Sequence, residues 1–144
     1  MSGFLRYWMP VCAYAGLIFY LSSQPHPEDD LPSFVLSFSD KVLHVVEYAA
    51  LGGLCYRALC WGTNESWGNL ALPLAVLFAS LYGISDEIHQ SLVPFRDSSW
   101  LDWVADTIGS AMGAAGLARI SSWASDGGSG ARFSQRKTDK RQPL

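Results

Sequence analysis

The stretch "LALPLAVLFASLYGISDEIHQS", residues 70–91, decides the fold. Its first half is an apolar run long enough for the middle of a membrane helix. Its second half brings together Asp86, Glu87, His89 and Gln90. A helix needs roughly 20 predominantly apolar residues to cross a bilayer core. The stretch therefore predicts a transmembrane helix that ends in a cluster of polar side chains.

The composition favours a one-domain membrane protein and argues against a nucleic-acid binder. The chain has 144 residues, of which 49% are hydrophobic and 16% are charged, whereas about 25% of residues are charged in soluble domains. The mean hydropathy is only +0.13, because the segments 24–39 and 121–144 are polar. The net charge is −3, and no basic stripe interleaved with aromatic residues is present to bind nucleic acid.

Four apolar spans predict an all-α, four-helix transmembrane bundle. The spans are residues 5–23, 40–61, 70–90 and 99–120. A cleaved signal peptide is the alternative for the first span, but "YLSSQP" lacks an A-x-A cleavage pattern and further spans follow. A soluble helical bundle is the alternative for the whole domain. It would need polar outer faces, which the first and third spans lack.

Small residues in the fourth span predict close packing against another helix. They are Gly109, Gly113 and Gly116, with Ala105 and Ala114. The cysteines are odd in number and form no C-x-x-C pair. They are Cys12, Cys55 and Cys60. We expect them to be small apolar filler in the helices rather than a disulfide framework or a zinc site.

Basic residues set the predicted orientation in the membrane. Cytoplasmic segments are enriched in Lys and Arg, and the tail is rich in Gly and Ser and then basic. The acidic 24–39 loop falls on the opposite side of a four-span chain. We therefore expect both termini in the cytoplasm, a transmembrane domain over residues 1–120 and a disordered basic tail over residues 121–144.

This topology brings the polar residues of three spans and one connection to the same, outer membrane level. They are Asp40, Lys41, His44, Glu47, Tyr48, Asp86, Glu87, His89, Gln90, Arg96, Asp102 and Asp106. Spacings of three or four residues, as between Asp86 and Gln90, put side chains on one helix face. These faces should point into the bundle, since a charge facing lipid costs roughly 2.5–3.5 kcal/mol.

Several interpretations of this cluster are open. A buried ion-pair network would lock helix packing, although such pairs often stabilise no better than apolar packing. An ion or proton path would need polar groups at several depths, and the inner half of the spans lacks them. A reaction or binding site at the outer leaflet would use His for proton transfer and Arg for two-point binding of phosphate. The same groups can bind a divalent metal, but no strict ligand spacing such as H-E-x-x-H occurs, so we assign no metal ligands.

Two motifs in these spans resemble the VanZ-like family of small bacterial membrane proteins. They are "DKVLHVVEYAALG" at residues 40–52 and "SDEIHQSLVPFRDSSWLDWVADTIGSAMG" at residues 85–113. The shared pattern is D-K-x-x-H-x-x-x-Y, then D-E-x-H-Q, a P-x-R turn and D-x-x-x-D/N-x-x-G. The family turn usually reads P-G-R. Here Phe95 stands in place of a glycine that would permit positive φ, which affects the loop geometry and the placement of Arg96. Alternatively, its ring is an aromatic anchor at the membrane interface.

The resemblance implies a multi-pass protein of the bacterial inner membrane. It also implies a polar pocket that acts on lipid or envelope-precursor head groups, for example by hydrolysing or exchanging a phosphate-linked group. By motif, His44 and His89 would be the acid/base or nucleophilic pair. Asp40 and Asp86 would orient them, or hold a metal if one is bound. The substrate-binding residues would be Lys41, Arg96, Glu87, Gln90, Tyr48, Asp102 and Asp106.

The family is named for a protein linked to resistance to the glycopeptide teicoplanin. The alternative function is therefore a non-catalytic membrane module that binds lipid or glycopeptide and modulates the cell envelope or antibiotic resistance. Membrane lipids are the partners implied by either function. The sequence assigns no cofactor and no protein partner.

Overall fold

The structure, a computed structural model, confirms the predicted all-α architecture. It describes residues 3–25, 40–63, 67–96 and 98–139, and within these ranges it contains no β-strand. The helices are α1 (Gly3–Ser22), α2 (Asp40–Trp61), α3 (Ala71–Gln90) and α4 (Trp100–Asp139), and a 3₁₀ turn (Gly68–Leu70) precedes α3. Most of the predicted outer loop, residues 26–39, lies outside the described residues.

Contacts between the helices define an up-and-down bundle. The hydroxyl of Tyr14 on α1 donates to the backbone carbonyl of Glu47 on α2, and Ser22 at the end of α1 contacts Asp86 near the end of α3. Lys41 at the start of α2 contacts Asp102 at the start of α4. The last turns of α1 and α3 and the first turns of α2 and α4 therefore meet at one end of the bundle, which we call the polar end.

Helices α2 and α4 run parallel and pack most closely. A Cβ added to Gly109 or Gly113 of α4 would collide with the backbone carbonyl of Val45 or Ala49 on α2. The prediction of close packing is thereby confirmed for these two glycines, because only a hydrogen atom fits between the two backbones. A Cβ on Gly116 would meet nothing within 4 Å, so this third glycine does not serve the same contact.

Apolar packing fills the bundle away from the polar end. Ile18, Leu51 and Leu59 pack there with the small residues Ala71 and Ala75 of α3. Cys55 belongs to the same buried cluster. The burial of Cys55 agrees with the predicted role as apolar filler, whereas Cys12 is exposed.

The outer surface of the bundle is apolar while its interior holds carboxylates. Val46 of α2 is 64% exposed and Met112 of α4 is 61% exposed, whereas Asp102 and Asp106 are buried. A soluble bundle would show the reverse, so the apolar outer faces favour a lipid surrounding. By length and composition alone, two segments can cross a membrane, Gly3–Ser22 and Gly68–Gln90. Among the described residues, α2 and α4 fall short of that test, although Asp102 and Asp106 of α4 are buried in the bundle.

Helix α4 is longer than the predicted fourth span. It continues past residue 120 to Asp139, so the structure does not confirm a disordered tail from residue 121. Gly127, Gly128 and Gly130 lie inside this extension, and glycine disfavours a helix interior by about 1 kcal/mol per residue relative to alanine. The boundary between domain and tail at residue 120 stays a prediction.

The connection between α3 and α4 keeps the backbone shape expected for a glycine. Phe95 has a φ of 65°, in the left-handed region that is costly for a bulky side chain. Its side chain is 83% exposed. Phenylalanine therefore adopts at this position a backbone conformation that glycine would adopt without strain.

Candidate functional site

The polar end carries many more carboxyl groups than cations. Among the described residues its carboxyl groups are Asp40, Glu47, Asp86, Glu87, Asp102 and Asp106, and its permanent cations are Lys41 and Arg96. The predicted convergence of these residues is supported by the contacts between their helices. Because carboxyl groups outnumber cations here, some carboxyl groups must be bound by neutral donors or remain without a partner.

Two charged contacts join α2 to α4 in register. Lys41 contacts Asp102, and Nδ1 of His44 lies 2.8 Å from Oδ1 of Asp106. The two contacts are one helical turn apart on both helices, as the i,i+4 spacing of Asp102 and Asp106 predicted. The other ring nitrogen of His44, Nε2, lies 3.9 Å from Oδ2 of Asp40. His44 therefore sits between a buried carboxylate and an exposed one.

Neutral donors hold the carboxylate of Asp86 between α1 and α3. Oδ2 of Asp86 accepts a hydrogen bond of 2.8 Å from the hydroxyl of Ser22 and one of 2.8 Å from the side-chain amide of Gln90. The second bond confirms the predicted i,i+4 pairing of Asp86 with Gln90. Since both donors are uncharged, this carboxylate is bound without a cation.

His89 lies on the α1 side of the polar end. Its Nε2 is 3.0 Å from the hydroxyl of Ser23, and its ring stacks on Phe19 with the ring centroids 4.4 Å apart. Ser23 also donates to the carbonyl of Phe19 at 2.6 Å. The two histidines predicted as a pair thus have separate surroundings in the structure.

Among the described residues, five buried polar atoms at the polar end have no hydrogen-bond partner. They are Oδ2 of Asp106, Oε1 of Glu87, Oδ1 of Asp86, the hydroxyl of Tyr48 and Nε of Arg96. The other carboxylate oxygen of Glu87, Oε2, accepts a hydrogen bond of 2.8 Å from the backbone N–H of Ser99. A buried polar atom without a partner costs about 1–3 kcal/mol, so such atoms at one end of a bundle point to a bound ligand, ion or water.

A cavity of about 280 Å³ opens at the polar end between α1, α2, α3 and the α3–α4 connection. Its polar wall is formed by Ser22, Asp40, His44, Glu47, Gln90 and Arg96, and its apolar wall by Tyr14, Leu21, Leu43 and Val46. Asp40 and Val46 are both exposed. The cavity is therefore open beside these two residues, to the end of the bundle and to its apolar outer face.

The predicted site residues divide into three groups. Those that line the cavity are Asp40, His44, Gln90 and Arg96. Those that lie in the polar end without lining the cavity are Lys41, Tyr48, Asp86, Glu87, Asp102 and Asp106. His89 also does not line the cavity, because its ring is turned to Phe19 and Ser23 on α1.

Glu47, Ser22 and Tyr14 line the cavity without having been predicted as site residues. Glu47 gave a signal in the sequence, because it lies three residues after His44 on the same helix face. Ser22 and Tyr14 gave none, since a hydroxyl residue in an apolar span is ordinary and the partner helix was not known.

Two groups of three side chains are arranged closely enough to hold a metal ion. One comprises Asp40, His44 and Asp102, and the other comprises His44, Glu87 and Asp106. In each group, one ligand atom per residue lies within 4.8 Å of the other two. The second group takes its ligands from three helices, whereas Asp40 and His44 of the first group share α2. A group drawn from three helices has no ligand spacing that the sequence could show.

A model of one known family, described as VanZ/LLP1, matches residues 7–121 of the chain. This range includes the whole of the polar end and every residue that lines the cavity. No curated protein and no solved structure matches the chain.

Proposed function

The chain belongs to the VanZ/LLP1 family, and from that premise we propose that it acts on phosphate-linked head groups of lipids or envelope precursors. Family membership suggests a membrane protein linked to antibiotic resistance. We further propose four membrane passes in the bacterial inner membrane, with the polar end on the extracytoplasmic side. The basic residues of the tail support this orientation, since cytoplasmic segments are enriched in Lys and Arg.

The observation that carries the proposal is the mixed wall of the cavity. A membrane lipid has a charged head and an apolar chain, and the cavity has a polar wall with Arg96 and an apolar wall that ends at Val46. Nε of Arg96 is buried without a partner among the described residues. A guanidinium group binds phosphate oxygens at two points, so a phosphate group would satisfy this donor.

His44 is the residue we propose for proton transfer to or from the head group. Its imidazole lines the cavity, and its bond to Asp106 fixes the ring orientation. Histidine exchanges a proton near neutral pH, and a positioned acid or base contributes about 10²–10⁴-fold to a rate. Asp40 then orients the outer nitrogen of the ring.

The remaining residues have supporting roles in this proposal. Arg96 and Gln90 bind the head group inside the cavity, while Lys41 and Asp102 fix the start of α2 against α4. Asp86, Glu87 and Tyr48 complete the polar interior around them. His89 is proposed as a second proton-transfer group that acts from the edge of the site, next to Ser23.

A non-catalytic module that binds a lipid or a glycopeptide is the second candidate. The separation of the two histidine environments favours it, because His44 is the one histidine among the residues that line the cavity. A cavity with a single imidazole is sufficient for binding, whereas acid and base steps of hydrolysis often use two groups.

The test is a lipid assay on purified protein in nanodiscs with a panel of phospholipids and polyprenyl phosphate lipids. Conversion of at least one lipid, lost in His44→Gln while binding persists, is the expected result. Arg96→Gln should lose binding. Arg57→Gln is the matched control, because Arg57 stacks over Tyr7 with 4.8 Å to the ring centroid, away from the polar end.

Unchanged lipids with stable, Arg96-dependent binding would support the module and exclude the enzyme. If neither conversion nor Arg96-dependent binding is found with any lipid of the panel, both candidates are wrong.

A further inference from the structure

We propose that His44, Glu87 and Asp106 form a binding site for a divalent transition-metal ion. They come from α2, α3 and α4 respectively. All three are buried, and one ligand atom from each lies within 4.8 Å of the other two. The site does not depend on the proposed function, because it is argued from the ligands and not from a lipid.

Unpartnered oxygen atoms provide the second observation for this site. Asp106 is fully buried, and its Oδ2 has no hydrogen-bond partner among the described residues. Glu87 is 9% exposed, and its Oε1 also has no hydrogen-bond partner among those residues. Both carboxylates thus carry a buried oxygen without a donor, and each has a ligand atom within 4.8 Å of a ring nitrogen of His44. A bound cation would satisfy such oxygens, which are costly when they stay without a partner.

The charge balance of the polar end also calls for a cation. Six carboxyl groups there face two permanent cations. Lys41 is already bound to Asp102, so it does not neutralise Asp106 or Glu87. Carboxylates that are taken out of water without a counter-charge are strongly destabilising. A divalent ion between them would supply that charge.

His44 has the surroundings that a metal-bound imidazole usually has. Its Nδ1 faces Asp106, and its Nε2 lies 3.9 Å from the carboxylate of Asp40. Metal-binding histidines generally direct their second N–H to a carboxylate or a carbonyl, which fixes the ring and its tautomer. Asp40 would play that part here.

Gly83 leaves room next to the proposed ligands. A Cβ at position 83 would lie 2.9 Å from Oδ2 of Asp106 and 3.3 Å from the ring of Tyr48. Because glycine has no side chain, the space on the α3 side of this oxygen stays open.

The alternative triplet of Asp40, His44 and Asp102 is the weaker metal site. The carboxylate of Asp102 is engaged by Lys41, so a metal would have to displace a cation that is already present. The side chain of Asp40 is 71% exposed and can be satisfied by water. Neither residue has a buried oxygen without a partner among the described residues.

The ligand set indicates the chemical class of the ion. One imidazole nitrogen with two carboxylate groups suits Zn²⁺ or Mn²⁺, whereas Ca²⁺ and Mg²⁺ prefer oxygen ligands throughout. Three protein ligands also leave a coordination position open, as in catalytic zinc sites. With the ion bound, His44 would be a ligand, so the proton transfer proposed for it applies to the metal-free chain.

The test measures metal bound to the purified full-length chain in nanodiscs. Protein stripped with a chelator is equilibrated with Zn²⁺ or Mn²⁺, and the bound ion is counted by mass spectrometry. We expect about one equivalent per chain. Loss of an outer-shell residue typically weakens metal binding 10–100-fold, so Glu87→Gln and Asp106→Asn should each weaken it at least about 100-fold.

Two further variants identify which residues hold the ion. Asp102→Asn should change the affinity little, because it belongs to the alternative triplet, and Arg96→Gln should retain the metal although it loses lipid. Should a variant fail to fold, the Mn²⁺ form of the unmodified chain still tests the site. Its pulsed electron paramagnetic resonance spectrum should show coupling to the nitrogen of one imidazole.

The site is ruled out if the unmodified chain retains no ion, or if Glu87→Gln and Asp106→Asn bind as the unmodified chain does. Loss in Asp102→Asn instead would transfer the site to the other triplet and would equally overturn the assignment. Metal binding without lipid chemistry would leave the site intact and reject the proposed enzyme. Lipid chemistry in a chain that retains no added ion would reject the site and leave the proposed enzyme intact.

Discussion

The two halves of the polar end are built on different principles. Helices α2 and α4 meet backbone to backbone at Gly109 and Gly113 and are joined by contacts between ionisable side chains. Helices α1 and α3 meet through Ser22, Gln90 and the stacked ring of His89. The close contact between α2 and α4 leaves little room for movement or substitution. The neutral donors and aromatic rings between α1 and α3 can find other partners, such as water or lipid, if one contact is lost.

The largest effect should come from a bulky residue in the glycine contact of the first half. Gly113→Leu would place a side chain where a Cβ already collides with the carbonyl of Ala49. Overpacking usually costs 1–3 kcal/mol, and rigid backbone should raise this to about 3 kcal/mol or more of unfolding free energy. Thermal unfolding in detergent measures it.

The controls for this substitution are Gly116→Leu on the same helix and Gly16→Leu on α1. A Cβ at either position would meet nothing within 4 Å, so both variants should unfold close to the unmodified protein. Equal destabilisation of all three would show that the glycine contact between α2 and α4 does not limit stability.

The next effect separates the histidines of the two halves. His44→Gln should reduce any lipid conversion at least about 100-fold, as expected for a positioned proton-transfer group. His89→Gln should cause a much smaller loss, because His89 does not line the cavity. Initial rates at saturating lipid test this, with circular dichroism as the check on folding. An equal loss in both variants would mean that the two imidazoles act as one unit.

A smaller effect should distinguish the charged from the neutral hydrogen bonds. In a metal-free chain, Asp106→Ala leaves the buried Nδ1 of His44 without its partner, which should cost about 1–3 kcal/mol. Ser22→Ala should cost about 1 kcal/mol or less, since Asp86 keeps the bond from Gln90. Urea unfolding with a chelator present compares the two.

A double-mutant cycle sharpens the same comparison. The coupling energy between His44→Ala and Asp106→Ala should lie in the range of about 0.5–3 kcal/mol for residues in contact. A coupling near zero would indicate that the contact between His44 and Asp106 orients the two side chains without stabilising the fold.

The smallest effect should occur at Phe95, in the connection that joins α3 to α4. Phe95→Gly removes the strain of a φ of 65° and should stabilise the protein by about 0.5–1 kcal/mol after the entropy of glycine is counted. Phe95→Ala keeps the strained backbone and removes the ring, so it is the matched control. A gain in Phe95→Ala alone would assign the effect to the exposed ring and not to the backbone.

Local patterns were sufficient to predict the helices and the end at which the polar groups meet. The span at residues 40–61 matches α2, because its boundaries follow from charge and apolar length, and the i,i+4 pairing of Asp86 with Gln90 follows from helix geometry alone. The end of α4 was not predictable, since glycines and charges argue against the helix that extends to Asp139.

Contacts between side chains of different helices could not be predicted from the sequence. That Glu87 approaches His44 and Asp106 depends on the rotation of three helices about their own axes, which a single sequence does not specify. The same holds for His89, whose ring turns to Phe19 although its motif places it next to Asp86 and Glu87. Residue types and helix positions could be predicted from the sequence, whereas the facing partners required the packed bundle.

The parallel pairing of α2 with α4 determines how long α2 waits for its partner during synthesis. Lys41 and its partner are 61 residues apart, and His44 and its partner are 62 residues apart. At 5–20 residues per second, a ribosome needs about 3–12 s to add that length of chain. During this interval Lys41 and His44 lack Asp102 and Asp106, and the nearest carboxyl group on their own helix is that of Asp40.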